Sequence, residues 1–218
     1  MKNQSRLKSE EIASEIRRRI FLNLLKDGER LTQDSIASEF GSSHIPVREA
    51  FRMLAAEGLV EQRPRRGVIV STLDPNFVEE LLEIRGVLEV QALRWAMPKI
   101  TEDILLKADQ ILKKSEQTDD VDTWLACNWE FHAIIYELSG RITLQGILNS
   151  LNSRIERVIR VLIANTNYRK QAEAEHRALL SSLAVANEGA AELLLDQHLR
   201  ETKKGLIELI RDIGDHRI

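Results

Sequence analysis

The sequence predicts a mainly α-helical protein in two parts: a winged helix-turn-helix over residues 1–73 and an all-α six-helix bundle over residues 74–218. Three observations carry that reading. Only 10 Gly and 4 Pro occur in 218 residues, with 5% aromatic side chains, which suits long helices better than a β sandwich or barrel. Apolar residues recur at three- and four-residue spacing through most of the chain, the stripe of amphipathic helices. The exception lies near residues 59–70, where β-prone runs flank a tip of Arg, Pro and Gly.

Composition narrows the function classes. With 43% hydrophobic residues the chain can bury a core, so wholesale disorder is excluded. With 30% charged residues, no apolar run near 18 residues and no basic start leading into one, a soluble cytoplasmic protein without a membrane partner is expected. One cysteine, Cys127, excludes an intrachain disulfide and a Cys-rich zinc module, and it reads as a small apolar helix residue. The net charge of −3 hides an asymmetry: residues 1–75 carry 13 Lys and Arg against 11 Asp and Glu, the remainder 18 against 23. Any basic face is therefore N-terminal.

Taken in order, Ile12, Ile16, Ile20 and Leu24 recur at i+4 beside Arg17, Arg18 and Arg19, predicting a helix near 9–25. Lys26–Glu29 reads as a turn. Thr32 can cap a short helix carrying Ile36, Ala37 and Phe40, closed by Gly41. Ser42 and Ser43 offer the next cap, before Val47, Phe51 and Leu54, and Gly58 ends that helix. Leu59–Gln62 and Val68–Val70 then form a hairpin wing around Arg63-Pro64-Arg65-Arg66-Gly67. Asp74-Pro75 marks the boundary, since Asp caps and Pro suits a first helical position. Beyond it Phe77, Leu81, Ile84 and Leu88 open a helix that runs towards Trp95 and stops at Pro98, with further helices at about 101–117, 121–139, 143–166, 168–187 and 188–213.

A helix that reads the DNA major groove needs hydrogen-bond donors near its N-terminus and flanking groups that fix it on phosphates. Ser43, His44, Arg48 and Arg52 meet that need, and Arg63, Arg65 and Arg66 at the wing can reach the backbone or minor groove. The plain alternative is a solvated helix pair with ordinary surface arginines.

The stretch Leu31 to Leu73, with Ile45-Pro46-Val47-Arg48-Glu49-Ala50, Glu57-Gly58-Leu59-Val60 and Arg66-Gly67-Val68-Ile69-Val70, closely resembles the winged helix-turn-helix of GntR-family transcription regulators. Beyond the boundary, Ile84-Arg85 with Leu88-Glu89, Phe131-His132, Glu175-His176 and His198-Leu199 resemble the helical FCD effector domain of the FadR branch, and six helices there are similar to the VanR-type subgroup. The resemblance implies a ligand-responsive regulator, by family habit a repressor. As a homodimer it would set Ser43, His44, Arg48, Arg52, Arg65, Arg66 and Gly67 against an inverted repeat in double-stranded DNA. Family members usually carry Arg or Lys at the position of His44 and Thr at that of Ile45, a departure that bears on which operator is read.

In the second part, Asn128 and His132 at i and i+4 stack about 6 Å apart on one helix face, the spacing two ligands of one ion require. His176 and His198 sit on two other helices, so all can converge inside a bundle. The alternative by sequence is a set of hydrogen-bonded core histidines. The family resemblance implies that these three histidines ligate a divalent ion, zinc or nickel, with Asn128 where Asp is usual; a neutral amide oxygen holds a metal less tightly. Arg85 reads either as an i,i+4 partner of Glu89 on a solvated face or, by resemblance, as the arginine that grips the carboxylate of a small effector, such as a sugar acid or a dicarboxylic acid. Two other classes are alternatives to a regulator. A helical-bundle metalloenzyme of the di-iron type needs two Glu-x-x-His motifs, and this chain has one, Glu173 to His176. A winged-helix interaction protein that does not bind DNA is the other.

Overall fold

The computed structural model describes residues 2–21, 24–63, 67–72 and 74–215. The chain divides into two compact units, Met1–Asp74 and Pro75–Ile218.

In the first unit, helix α1 (Lys2–Phe21) packs on helix α3 (His44–Ala56), with the short helix α2 (Gln33–Glu39) alongside. Ile12, Ile16 and Ile20 are fully buried, as their spacing predicts. The helix is longer and ends earlier than the expected 9–25. It extends back to Lys2 through residues that are mostly good helix formers. It closes where the amides of Leu24 and Leu25 both donate to the Arg19 carbonyl, at 2.8 and 3.2 Å. That turn leaves Leu24 exposed and puts Leu25 against the core instead. Thr32 caps α2, its hydroxyl accepting from the Ser35 amide at 3.1 Å. Gly41 (φ +54) and Gly58 (φ +72) take the left-handed backbone that ends α2 and α3. A bidentate pair from Arg17 to Glu57, at 2.7 and 2.6 Å, ties α1 to the end of α3.

The wing is the expected hairpin of β2 (Val60–Arg63) and β3 (Gly67–Val70), with Val60 opposite Val70 and Arg63 opposite Gly67. The sequence reading missed β1 (Arg30–Leu31), which pairs antiparallel with the other edge of β3 and gives the order β1-β3-β2. Two residues are too few to show a period of two; β1 exists because the free edge of β3 needs hydrogen-bond partners.

Six α-helices, counted among the described residues, build the second unit: α4 (Pro75–Ala96), α5 (Glu102–Gln117), α6 (Val121–Tyr136), α7 (Ile142–Asn165), α8 (Tyr168–Ala184) and α9 (Glu188–Asp215). Pro98 sits in a 3-10 turn, Met97–Lys99, rather than ending α4 directly, and a second such turn, Glu137–Ser139, closes α6. Thr101 and Asp120 cap α5 and α6 through bonds of 3.4 and 2.8 Å. Helix α4 packs on α9, α9 on α8, α8 on α5 and α5 on α6, around Leu93, Leu112, Phe131, Ile135 and Leu195. Cys127 lies in that core. No helix among the described residues is long and apolar enough to cross a membrane.

Candidate DNA-reading helix and metal centre

Helix α3 separates its two faces as its spacing demands. Val47, Ala50, Phe51 and Leu54 are buried against α1 and the sheet, while Ser43, His44, Arg48 and Arg52 are exposed on the opposite side. Ser43 stands at the N-cap in extended backbone without using its side chain to cap. His44 Nε2 lies 3.2 Å from Asp34 Oδ1 in the first turn of α2. Arg52 donates to Glu49 at 2.8 Å, an exposed pair that costs little to break. Arg48 makes no ion pair among the described residues, so its guanidinium is available to a base edge. At the wing, Gly67 opens β3 opposite Arg63, which pairs with Glu61 at 2.7 Å. Arg65 and Arg66 lie outside the described residues.

In the second unit α6, α8 and α9 bring His132, His176 and His198 together, with ligating nitrogens within 4.8 Å of one another and all three side chains buried. His132 Nε2 and His176 Nε2 are 3.1 Å apart, the separation of two nitrogens that share one ion at about 2.0–2.1 Å. The outer nitrogens of His132 and His198 are fixed by partners. Tyr136 donates its hydroxyl to Glu89 Oε2 at 2.6 Å, so the 3.2 Å contact between His132 Nδ1 and the Tyr136 oxygen has the imidazole N–H as donor. That leaves the Nε2 lone pair facing the cluster. His198 Nδ1 lies 2.6 Å from Glu175 Oε2 and donates to it in the same way. Burial first, then repulsion from the neighbouring cationic forms, holds His132 and His176 well below the usual histidine range, so both are neutral as ligands must be. Burial pushes the Glu175 carboxyl up, but hydrogen bonds from His198 and Gln171 outweigh it and hold the group below the usual range.

Asn128, one turn before His132, is buried, and its Oδ1 has no hydrogen-bond partner among the described residues. A buried orphan acceptor costs about 1–3 kcal/mol unless something fills its valence. Three converging imidazoles, with one unclaimed amide oxygen a turn before His132 on α6, therefore fit a divalent ion. Glu173, the acid of the lone Glu-x-x-His motif, points elsewhere: it accepts from Trp124 Nε1 at 2.9 Å and Arg169 Nε at 3.0 Å.

Beside His132 opens a pocket of about 200 Å³ walled by α6 and α7. Arg85 stands behind its wall. It does pair with Glu89 at i+4, but in the core rather than on a solvated face: the two side chains are 3% and 1% exposed. Its Nε faces Glu89 Oε1 as an ion pair without the direction of a hydrogen bond, and its guanidinium lies 5.3 Å from the Trp129 ring centre. Glu89, Tyr136 and Glu175 are the site residues that ligand spacing alone did not single out. The sequence signal for each was positional: Tyr136 follows His132 by four residues, Glu89 follows Arg85 by four, and Glu175 precedes His176.

Residues 80–201 match the FCD domain and residues 8–70 match the bacterial regulatory proteins of the gntR family. Among curated relatives, the HTH-type transcriptional regulator YdhC of Bacillus subtilis (strain 168) is 28% identical over 82% of each chain. The HTH-type transcriptional repressor RspR of Escherichia coli (strain K12) is 25% identical over 92% of this chain and 89% of its own. Among solved structures, E. coli McbR/YncC shares the fold with a TM-score of 0.75 at 21% identity, covering 93% of this chain and 98% of its own. The GntR-type regulator from Pseudomonas syringae pv. tomato str. DC3000 reaches 0.61 at 25% identity, covering 97% and 90%. The matched families and relatives are regulators of transcription, not enzymes. With both parts of the chain matched, the protein belongs to the GntR family of bacterial DNA-binding transcriptional regulators, with an FCD domain as its helical part.

Proposed function

We propose that the protein is a cytoplasmic homodimer whose residues 1–73 bind an inverted-repeat operator and whose residues 74–218 carry the dimer contact and the effector site. Operator affinity is controlled by a small carboxylate bound beside a divalent ion, zinc or nickel. The observation that supports this most is the convergence of His132, His176 and His198, each with one nitrogen left for a common ligand. A bound ion would supply a positive centre for a carboxylate; Asn128, His132, His176 and His198 would hold it. Arg85, buried behind the pocket wall, offsets the charge of Glu89 and so favours an anionic head group there. Ser43, His44, Arg48 and Arg52 on α3, with Arg65, Arg66 and Gly67 at the wing, meet the DNA. Two recognition helices related by a two-fold axis suit a palindromic site. Repression is carried over from the naming of the E. coli relative RspR as a repressor.

The test is a gel shift on DNA flanking the protein's own gene, with chelator-stripped and zinc-loaded protein and a panel of organic acids. Specific binding that one acid weakens only in the zinc-loaded protein supports the reading. Specific binding indifferent to zinc and to every acid leaves a DNA-binding regulator without this control.

A further inference from the structure

We propose that Ile45 reads the C5 methyl group of a thymine in each operator half-site, beside the base pair met by Arg48. The inference rests on the reading that the exposed face of α3 enters the major groove, and it assigns a base-edge contact to an apolar residue of this chain.

The large apolar residues of α3 divide unequally. Val47, Phe51 and Leu54 are buried and Met53 packs against the same core, whereas Ile45 stands outside it with 59% of its surface exposed. Arg48 and Arg52 follow it at i+3 and i+7, so one helix face carries, from its N-terminal end, an isoleucine and then two guanidinium groups. A single exposed isoleucine is ordinary on a protein surface. This one sits in the first turn of the reading helix, the end that approaches base edges, where the polar residues exposed with it are suited to DNA.

What an apolar side chain can distinguish in the major groove is narrow. Isoleucine has no hydrogen bond to offer a base edge, and among the four bases only thymine presents a methyl group there. The side chain is also held ready. Branching at Cβ leaves isoleucine one strongly preferred χ1 in a helix. The buried ring of Pro46, the third residue of α3, fixes the backbone just after Ile45. It removes no intrahelical hydrogen bond, since the first four amides of a helix make none. Around Ile45 the polar groups are engaged with one another: His44 Nε2 lies 3.2 Å from Asp34 Oδ1, and Glu49 accepts from Arg52 at 2.8 Å. Three residues of helix rise by about 4.5 Å, close to the spacing of stacked bases at about 3.4 Å, so Ile45 and Arg48 fall on neighbouring base pairs.

The test starts from a randomised duplex library, selected with the full-length protein. Fluorescence anisotropy then follows on the enriched sequence with each thymine replaced in turn by deoxyuridine, which removes the C5 methyl and keeps every hydrogen-bonding group. Uracil at one position of a half-site is expected to weaken binding about three- to tenfold at fixed salt, the scale of one methyl group buried against an apolar side chain. With Ile45→Ala the same uracil should make no difference, while Ile45→Val should keep the effect. Both variants should melt with the parent, because the side chain lies outside the core. No thymine enriched in the half-site, binding indifferent to uracil at every thymine, or a uracil effect undiminished by Ile45→Ala overturns the proposal. Failure of the underlying reading looks different: selection with Arg48→Ala, as with Ile45→Ala, returns the parent sequence. If the helix docks as proposed and only the methyl contact is wrong, Arg48→Ala loses a base preference and Ile45→Ala loses none.

Discussion

Arg48 and Asn128 are the single residues at which the two halves of the proposed function can be tested. Arg48 is exposed on α3 while its neighbour Val47 is buried, so truncating it removes a reading group without opening the core. Arg48→Ala is expected to cost about 1–3 kcal/mol of specific binding at fixed salt, if it reads a guanine, while leaving thermal stability unchanged. Fluorescence anisotropy on operator and scrambled DNA checks this, and an unchanged operator affinity would move the docking face elsewhere. Asn128, being neutral, would leave the full charge of a bound divalent ion uncompensated in a buried site. Asn128→Asp is therefore expected to raise metal affinity and lower carboxylate affinity, because one added negative charge attracts the ion and repels the ligand. Calorimetry with zinc, then with an acid on the loaded protein, reads the two signs separately. Tyr136→Phe keeps the ring but removes the hydroxyl between Glu89 and His132. It should weaken zinc binding about 10–100-fold, the usual cost of losing a group that orients a ligating histidine, and an unchanged zinc affinity would separate this relay from the site.

At the scale of elements, strong periodicity was legible and short-range closure was not. Helices α4 to α9 follow three- and four-residue spacing with caps at Thr101 and Asp120, and their spans fall close to the sequence expectation. The end of α1 did not, because Leu24 continues the i+4 stripe by spacing while the Arg19 carbonyl closes the helix first. Strand β1 was invisible because its reason lies in β3, some forty residues away. The same limit governed the site. The three histidines could be named from the sequence, and helix packing then placed them together. That Arg85 is buried with Glu89 could not be read, because an i,i+4 pair looks the same on a wet face as in a core. The Thr32 cap provides an element-scale check. Its hydroxyl satisfies one of the orphan amides of α2, so Thr32→Ala should lower stability by about 1 kcal/mol in denaturant titration of the full chain, with no change in the zinc isotherm.

At the scale of the molecule, an effector can change operator affinity only to the extent that it binds DNA-competent and DNA-incompetent states differently. The coupling is reciprocal: whatever factor the acid takes from operator affinity, the operator must take from acid affinity. The two compact units have separate cores, so the helical unit alone is a natural reference. A fragment of residues 76–218 is expected to fold, dimerise and bind the acid with the affinity of the full chain free of DNA. Addition of operator to the full chain should weaken the acid by the same factor by which saturating acid weakens the operator, a coupling of roughly 5–150-fold for a regulator of this kind. Calorimetry with acid in the presence and absence of operator gives one factor and anisotropy with operator in the presence and absence of acid gives the other. Unequal factors would mean that acid and operator do not meet through one equilibrium between two states, and a monomeric fragment would move the dimer contact into the winged unit.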